Sequence, residues 1–254
     1  MSQTLKTSTN HGLATVRLDR DHGNAINLDL VDELTAVFRK LDADQDIRGV
    51  QLAASGKLFS PGLDLQELIE FKRFEMESFL ERFNACILGL YTFSKPVLAA
   101  IHGHAVAGGC VLTLTADWRV LQHEKLIGLN EVRVGLPFPY GVAMILRESV
   151  PHSHLEEIAL FGRNYRGQEA VEMGLAHEVH QADGFEEHCL SRLEELASKD
   201  SAAFAITKRY LRSPTVERIM ADEARLESDF LDRWYSPGTR SKIQAIVDEL
   251  KAKG

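Results

Sequence analysis

Paired glycines at a helix start and one isolated carboxylate are the residues of this chain best suited to chemistry. His104-Ala105-Val106-Ala107-Gly108-Gly109-Cys110-Val111 reads as a strand leaving through two glycines into a helix of small and apolar residues. Glycines at a helix N-terminus let a ligand approach bare backbone N–H groups, where the dipole also favours negative charge. Further on, Leu129-Asn130-Glu131 sets a single carboxylate into an apolar run of Leu126, Ile127, Val132, Val134 and Leu136. Apolar surroundings disfavour the charged form and raise the carboxyl towards the working range for proton transfer. An oxyanion-binding backbone beside one acid/base group suits enolate chemistry rather than a nucleophilic triad.

The elements that must position these groups follow from periodicity. Residues 13–20 alternate, with Ala14, Val16 and Leu18 on one face, as a half-buried strand does. Asp21-His22-Gly23-Asn24 is a turn, Asp29 is placed to cap a helix, and Leu30, Leu34, Val37, Phe38 and Leu41 recur at helical spacing. Residues 48–54 read as a strand and 65–93 as one long helix. The nearly continuous apolar run over 96–102 is expected of a strand covered on both sides. His102 and His104, two apart, are expected on one face of it. Val120 and Leu121 begin another strand, and 126–129 continues the pattern, a strand, strand, helix rhythm suggestive of stacked ββα turns. Beyond Pro151 the chain reads as a loop at 162–167, then helices near 168–173, 184–199, 201–212, 215–232 and 239–251. No linker divides it, and periodicity supports an α/β fold.

A chain of 254 residues that is 44% apolar can bury a sizeable core. Its net charge of −8 disfavours nucleic acid and anionic membranes as partners. Cys86, Cys110 and Cys189 are scattered without a CxxC pair, so reduced, buried thiols are expected. The stretch from Met1 to Lys6 has no apolar signal region, the end at Gly254 is not a peroxisomal address, and no run is long enough to span a membrane. A reducing, cytoplasmic setting fits.

Four motifs in order carry a resemblance over nearly the whole chain. Phe59-Ser60-Pro61-Gly62-Leu63-Asp64-Leu65, Gly103 to Cys110, Gly128-Leu129-Asn130-Glu131 and Ala170 to Ala176 resemble the enoyl-CoA hydratase/isomerase, or crotonase, superfamily. The resemblance implies a spiral of ββα units with a helical C-terminal appendage. It divides the chain into a core at 1–195 and a helical trimerisation region at 196–254, with trimers often doubled to hexamers. It implies an acyl-CoA thioester substrate and no cofactor beyond it. Carried over by position, the backbone N–H groups of Leu63 and Gly108 form the oxyanion hole and Glu131 is the acid/base. Ala25, Ser60, Gly62, Asp64, Leu65, His104 and Leu136 are the substrate-side positions, with Asp64 bracing its loop rather than doing chemistry. The His102/His104 pair is read as structural, and no metal site is expected. Lys57, Lys208 and Arg209 are candidates for the coenzyme A phosphates, and the packing of Phe79, Phe83, Phe138 and Met144 is expected to set pocket depth.

One departure matters. Hydratases of the family carry a second catalytic glutamate just after the Gly-Gly motif, and here that position is Val111. Valine neither accepts a hydrogen bond nor moves a proton. A single carboxylate suffices for a 1,3-proton shift, and the motifs look more like the Δ3,Δ2-enoyl-CoA isomerase branch. Two alternatives stay open: a hydratase or other acyl-CoA enolate enzyme whose second acid is Glu67 or Glu70, and a relative that binds acyl-CoA without turnover.

Overall fold

The computed structural model describes residues 4–253; residues 1–3 and 254, on which the readings of the chain ends partly rest, lie outside it. In chain order the strands are β1 (Leu5–Asn10), β2 (Leu13–Leu18), β3 (Gly49–Ala54), β4 (Leu58–Ser60), β5 (Val97–Ile101), β6 (His104–Val106), β7 (Trp118–Gln122), β8 (Leu126–Gly128), β9 (Asn164–Arg166) and β10 (Glu178–His180). They form a large sheet in the order β1-β2-β3-β5-β7-β10 and a small one in the order β4-β6-β8-β9. Among the described residues only the β1–β2 and β8–β9 pairs are antiparallel.

The topology is a spiral. Each turn lays one strand in the large sheet (β3, β5, β7), the next in the small sheet (β4, β6, β8), and returns through helix. The anticipated ββα rhythm is this alternation. Every residue of β3 and β5 is buried, as parallel strands covered on both faces must be. One face of the large sheet meets the main core. The other is covered by helix Phe185–Ala197 through Phe185, Cys189 and Leu193 against Leu98, Ala100 and Val120. Cys86, Cys110 and Cys189 are free and buried, as their contexts suggested.

Several elements differ from the sequence reading. The cap of helix Leu28–Ala43 is Asn27, whose side chain accepts from the Leu30 N–H, and Asp29 sits in the first turn instead. The long helix expected over 65–93 is two, Leu65–Leu68 and Arg73–Tyr91. The loop at 162–167 contains β9. His102 and His104 do not share a strand: β5 ends before His102, Gly103 intervenes, and His104 opens β6 in the other sheet.

The break expected at Pro214 is absent. One helix runs from Ser201 to Trp234 through that proline. Proline forfeits an N–H and crowds the carbonyl four residues back. Here both flanks are tied down. Before it, Lys208 Nζ and Arg212 Nη2 each lie 2.7 Å from the Asp117 carboxylate; after it, Thr215 and Ile219 are buried. A final helix, Pro237–Lys253, buries Ile243 and Val247. No helix among the described residues is long and apolar enough to cross a membrane.

Candidate active site

Three neighbouring parallel strands of the small sheet, β4, β6 and β8, deliver three functional groups at their C-terminal ends. Ser60 and Ile127 both lie opposite Ala105, and Gly128 lies opposite Val106. Adjacent strands are about 4.8 Å apart, so groups leaving consecutive strand ends converge on one small volume.

The exit of β4 runs Pro61-Gly62-Leu63. The Ser60 hydroxyl accepts from the Gly62 N–H at 3.2 Å. Ile26 donates to the Gly62 carbonyl and accepts from the Asp64 N–H, both at 2.8 Å. That parallel bridge holds the residues on either side of Leu63 and turns the Leu63 N–H away from it. Gly62 has φ of +99°, and a Cβ there would lie 2.9 Å from the Ala107 Cβ and 3.0 Å from the Gly108 nitrogen. Only glycine lets the two loops approach so closely.

The exit of β6 is strained. Ala107 adopts φ 50° and ψ −127° at the start of helix Gly108–Leu114, a region that costs an L-residue of order 1–3 kcal/mol. Its N–H donates to the Gly128 carbonyl at 2.9 Å, fixing the turn. Gly108 then opens the helix, where an N–H has no intrahelical acceptor. Among the described residues, neither the Leu63 nor the Gly108 N–H donates to a protein acceptor. Two free amides thus stand side by side.

The exit of β8 leads through Leu129-Asn130 into the short helix Glu131–Val134, closed by Gly135 with φ of +95°. Glu131 Oε2 is out of contact with solvent and has no hydrogen-bond partner. Burial pushes the Glu131 carboxyl up to about 7, against the opposing pull of its own and the Asn130 backbone amides. Arg133, two residues on, is exposed, and among the described residues no ion pair joins it to Glu131.

Leu63, Ala107, Gly108, Asn130 and Glu131 line one cavity of about 190 Å³, whose remaining walls are apolar and include Leu65, Val111 and Leu136. The three proposed catalytic positions therefore meet, with Leu65 and Leu136 beside them. Among the described residues, Glu131 is the one carboxylate on this wall. Of the four residues expected to set depth, Phe83 lines the cavity and Phe79 stacks behind it. Phe138 and Met144 pack against the core instead.

Other expected positions act from behind. Asp64 pairs with Arg20 at 2.7 Å and accepts from the Gln66 and Glu67 N–H groups at 3.2 Å. Arg20 also donates to the Ala25 carbonyl at 2.8 Å, tying Ala25 to the same brace. Ala25, Ser60, Gly62 and Asp64 frame the first loop without lining the cavity. The His104 ring is committed to the backbone, its Nδ1 accepting from the Leu126 N–H at 2.9 Å. It stands away from the cavity wall. Glu67 accepts from Asn27 at 2.9 Å and Glu70 is exposed, so neither reaches inward. Lys208 is buried against Asp117 and is not free for a phosphate. Among the described residues no cluster of three metal-ligating side chains forms.

Leu80, Val142, Phe230 and Ile246 also line the cavity and were not anticipated. They reach it by long-range packing of helices, which leaves no local motif.

Stacked ββα turns with two free amides and a buried carboxyl at the strand ends define a protein of the crotonase superfamily. A family profile described as enoyl-CoA hydratase/isomerase matches residues 8–245, and the chain belongs to that family. Among its relatives is human mitochondrial enoyl-CoA delta isomerase 1, 26% identical over 243 residues, covering 94% of this chain and 80% of the relative. Another, from Rhodobacter capsulatus, is named probable enoyl-CoA hydratase and is 30% identical over 251 residues, covering 97% and 95%. The crystal structure of human mitochondrial delta3-delta2-enoyl-CoA isomerase superposes with a TM-score of 0.94 at 25% identity, covering 99% of each chain.

Proposed function

We propose that this enzyme is a Δ3,Δ2-enoyl-CoA isomerase. The ionised Glu131 carboxylate takes a proton from C2 of a 3-enoyl thioester. Electrons move onto the thioester oxygen, and the enolate is held by the Leu63 and Gly108 amides. The same carboxyl, now protonated, returns its proton to C4 as the double bond shifts to C2–C3 and the carbonyl re-forms. The product is the conjugated trans-2-enoyl thioester. Donors preorganised in a dry site are worth about 10²–10³ in rate each. No cofactor enters beyond the coenzyme A of the substrate.

The observation that carries this reading is the composition of the cavity wall: one carboxylate, with Val111 where a second would be needed. Adding water to a 2-enoyl thioester calls for a group that positions and deprotonates the water. Glu67 and Glu70, the alternatives for that role, are turned elsewhere. The relative named as a hydratase keeps that activity as the rival, and a binder without turnover has no use for an unpartnered acid facing free amides.

A paired assay with trans-3-hexenoyl-CoA and crotonyl-CoA tests the choice. Rising ultraviolet absorbance on the first with little loss on the second supports the isomerase. Rapid loss on crotonyl-CoA means a hydratase.

The same reading makes the helical region 196–254 an oligomerisation element, giving a trimer or hexamer. Ile206, Tyr210 and Met220 are exposed on helix Ser201–Trp234 and fall on one stripe of it. Free, buried thiols suit a reducing compartment such as the cytoplasm.

A further inference from the structure

We infer that the site is built for short acyl chains, of about six carbons, and that Phe230 is the residue that sets the limit; this rests on the acyl-CoA reading of the cavity. Burial along the wall gives the cavity a direction. Pro61 is exposed and Leu63 half-buried, marking the mouth. Leu80, Phe83 and Phe230 are all but fully buried and mark the closed end. Coenzyme A is far too large for the cavity and stays at the mouth, so the acyl tail points at this end.

The end wall is rigid. The Phe230 ring stacks on Trp234 with centroids 6.0 Å apart, and the Phe83 ring stacks on Phe79 at 6.0 Å. Each lining ring is thus backed by a second buried ring, and densely packed aromatics do not swing aside cheaply. Ile246 of the last helix also lines the cavity and, like Leu63, is half-buried. The seam around this wall is hostile to hydrocarbon as well. Glu227, one turn before Phe230, feels the negative charges of the exposed Glu81, of Glu223 and of the exposed Glu77, and the Oε1 atoms of Glu223 and Glu227 are buried without partners. A longer tail pushed past Phe230 would desolvate Glu223 and Glu227 further.

Size sets the number. A dry apolar cavity of about 150 Å³ holds a guest of about six carbons. The cavity here is about 190 Å³, and it must also hold the thioester carbonyl.

The test compares trans-3-hexenoyl-CoA with trans-3-dodecenoyl-CoA, and hexanoyl-CoA with dodecanoyl-CoA, the saturated pair being read by calorimetric binding without turnover. The hexenoyl substrate is expected to have a kcat/KM at least about tenfold higher, since misfit of even a few methylenes costs that much in a closed pocket. Phe230→Ala, or the milder Phe230→Leu should the first not fold, is expected to narrow or reverse the ratio. Equal or better turnover of the dodecenoyl substrate by the unmodified enzyme overturns the inference. So does a ratio that both folded variants leave unchanged. If neither enoyl substrate turns over but hexanoyl-CoA binds about tenfold tighter than dodecanoyl-CoA, the chain-length inference stands and the isomerase reading falls. Tighter dodecanoyl-CoA binding overturns the inference whatever the chemistry.

Discussion

Glu131 carries opposing demands that two measurements separate. A carboxyl held at about 7 by burial is half ionised at neutral pH, which suits a group that must both take and return a proton. The kcat/KM profile is therefore expected to rise with pH through a limb near 7. Glu131→Gln should remove that limb and lower kcat by about 10²–10⁴. The stability effect has the opposite sign. A carboxyl raised from 4.5 in the unfolded chain to about 7 in the fold favours folding below 4.5, and that contribution is lost as pH rises through 7. At pH 8 the penalty approaches about 3 kcal/mol, so Glu131→Gln should unfold at a higher temperature than the parent there, and the gain should shrink below pH 5. Gly62 gives a complementary test. A Cβ there, in a backbone with φ of +99°, would press on the Gly108 nitrogen. Gly62→Ala should lower kcat by about 10²–10³ through a displaced amide, with KM changed much less, as single-turnover kinetics would show. These residues were legible in the sequence because each stands in a local motif. His104 sits in one of the same motifs, yet its ring is spent on the Leu126 backbone, a use that motif position does not reveal.

Elements were legible in proportion to the length of their pattern. β2 shows its alternation, β5 its buried run and β8 its apolar stretch within 126–129, but β4, β6 and β9 span three residues each, too few for a period of two to register, and β6 was run together with β5. These short strands nonetheless carry the site. β1 was missed because it buries little beyond Leu5, and an edge strand with one face to water has no apolar signature. The helix Ser201–Trp234 was cut at Pro214, since local rules cannot see the anchor that overrides them. That anchor makes a prediction. Asp117 accepts from Lys208, Arg212 and the Val97 N–H, and burial lowers the Lys208 ammonium to about 8 even beside it. Removing the carboxylate leaves the buried Lys208 and the half-buried Arg212 without their anion, a loss of about 3–5 kcal/mol. Asp117→Ala should show that loss in denaturant melts, whereas Lys208→Met, which removes a buried charge together with its desolvation cost, should lose far less.

Across the molecule, one helix serves two surfaces. Its C-terminal end presents Phe230 to the cavity, while its middle presents Ile206, Tyr210 and Met220 to the outside. A monomer rarely leaves such a stripe on a helix it has otherwise anchored so firmly. The proposed trimer or hexamer would cover it, and sedimentation should give a mass of three or six chains. Ile206→Asp with Tyr210→Asp puts two like charges on that stripe without touching the Asp117 anchor or the core. The expected result is a folded monomer. Both amides and the acid come from strands of the same chain, as do Phe230 and Ile246. Assembly on this stripe therefore has no group to contribute to the reaction, and the monomer should keep kcat within about threefold of the parent, the ordinary scatter of surface substitutions. A mass unchanged by the two aspartates would place the interface elsewhere. Activity lost in step with mass would mean that contact along this helix is needed to hold Phe230 against the cavity, joining the two surfaces mechanically.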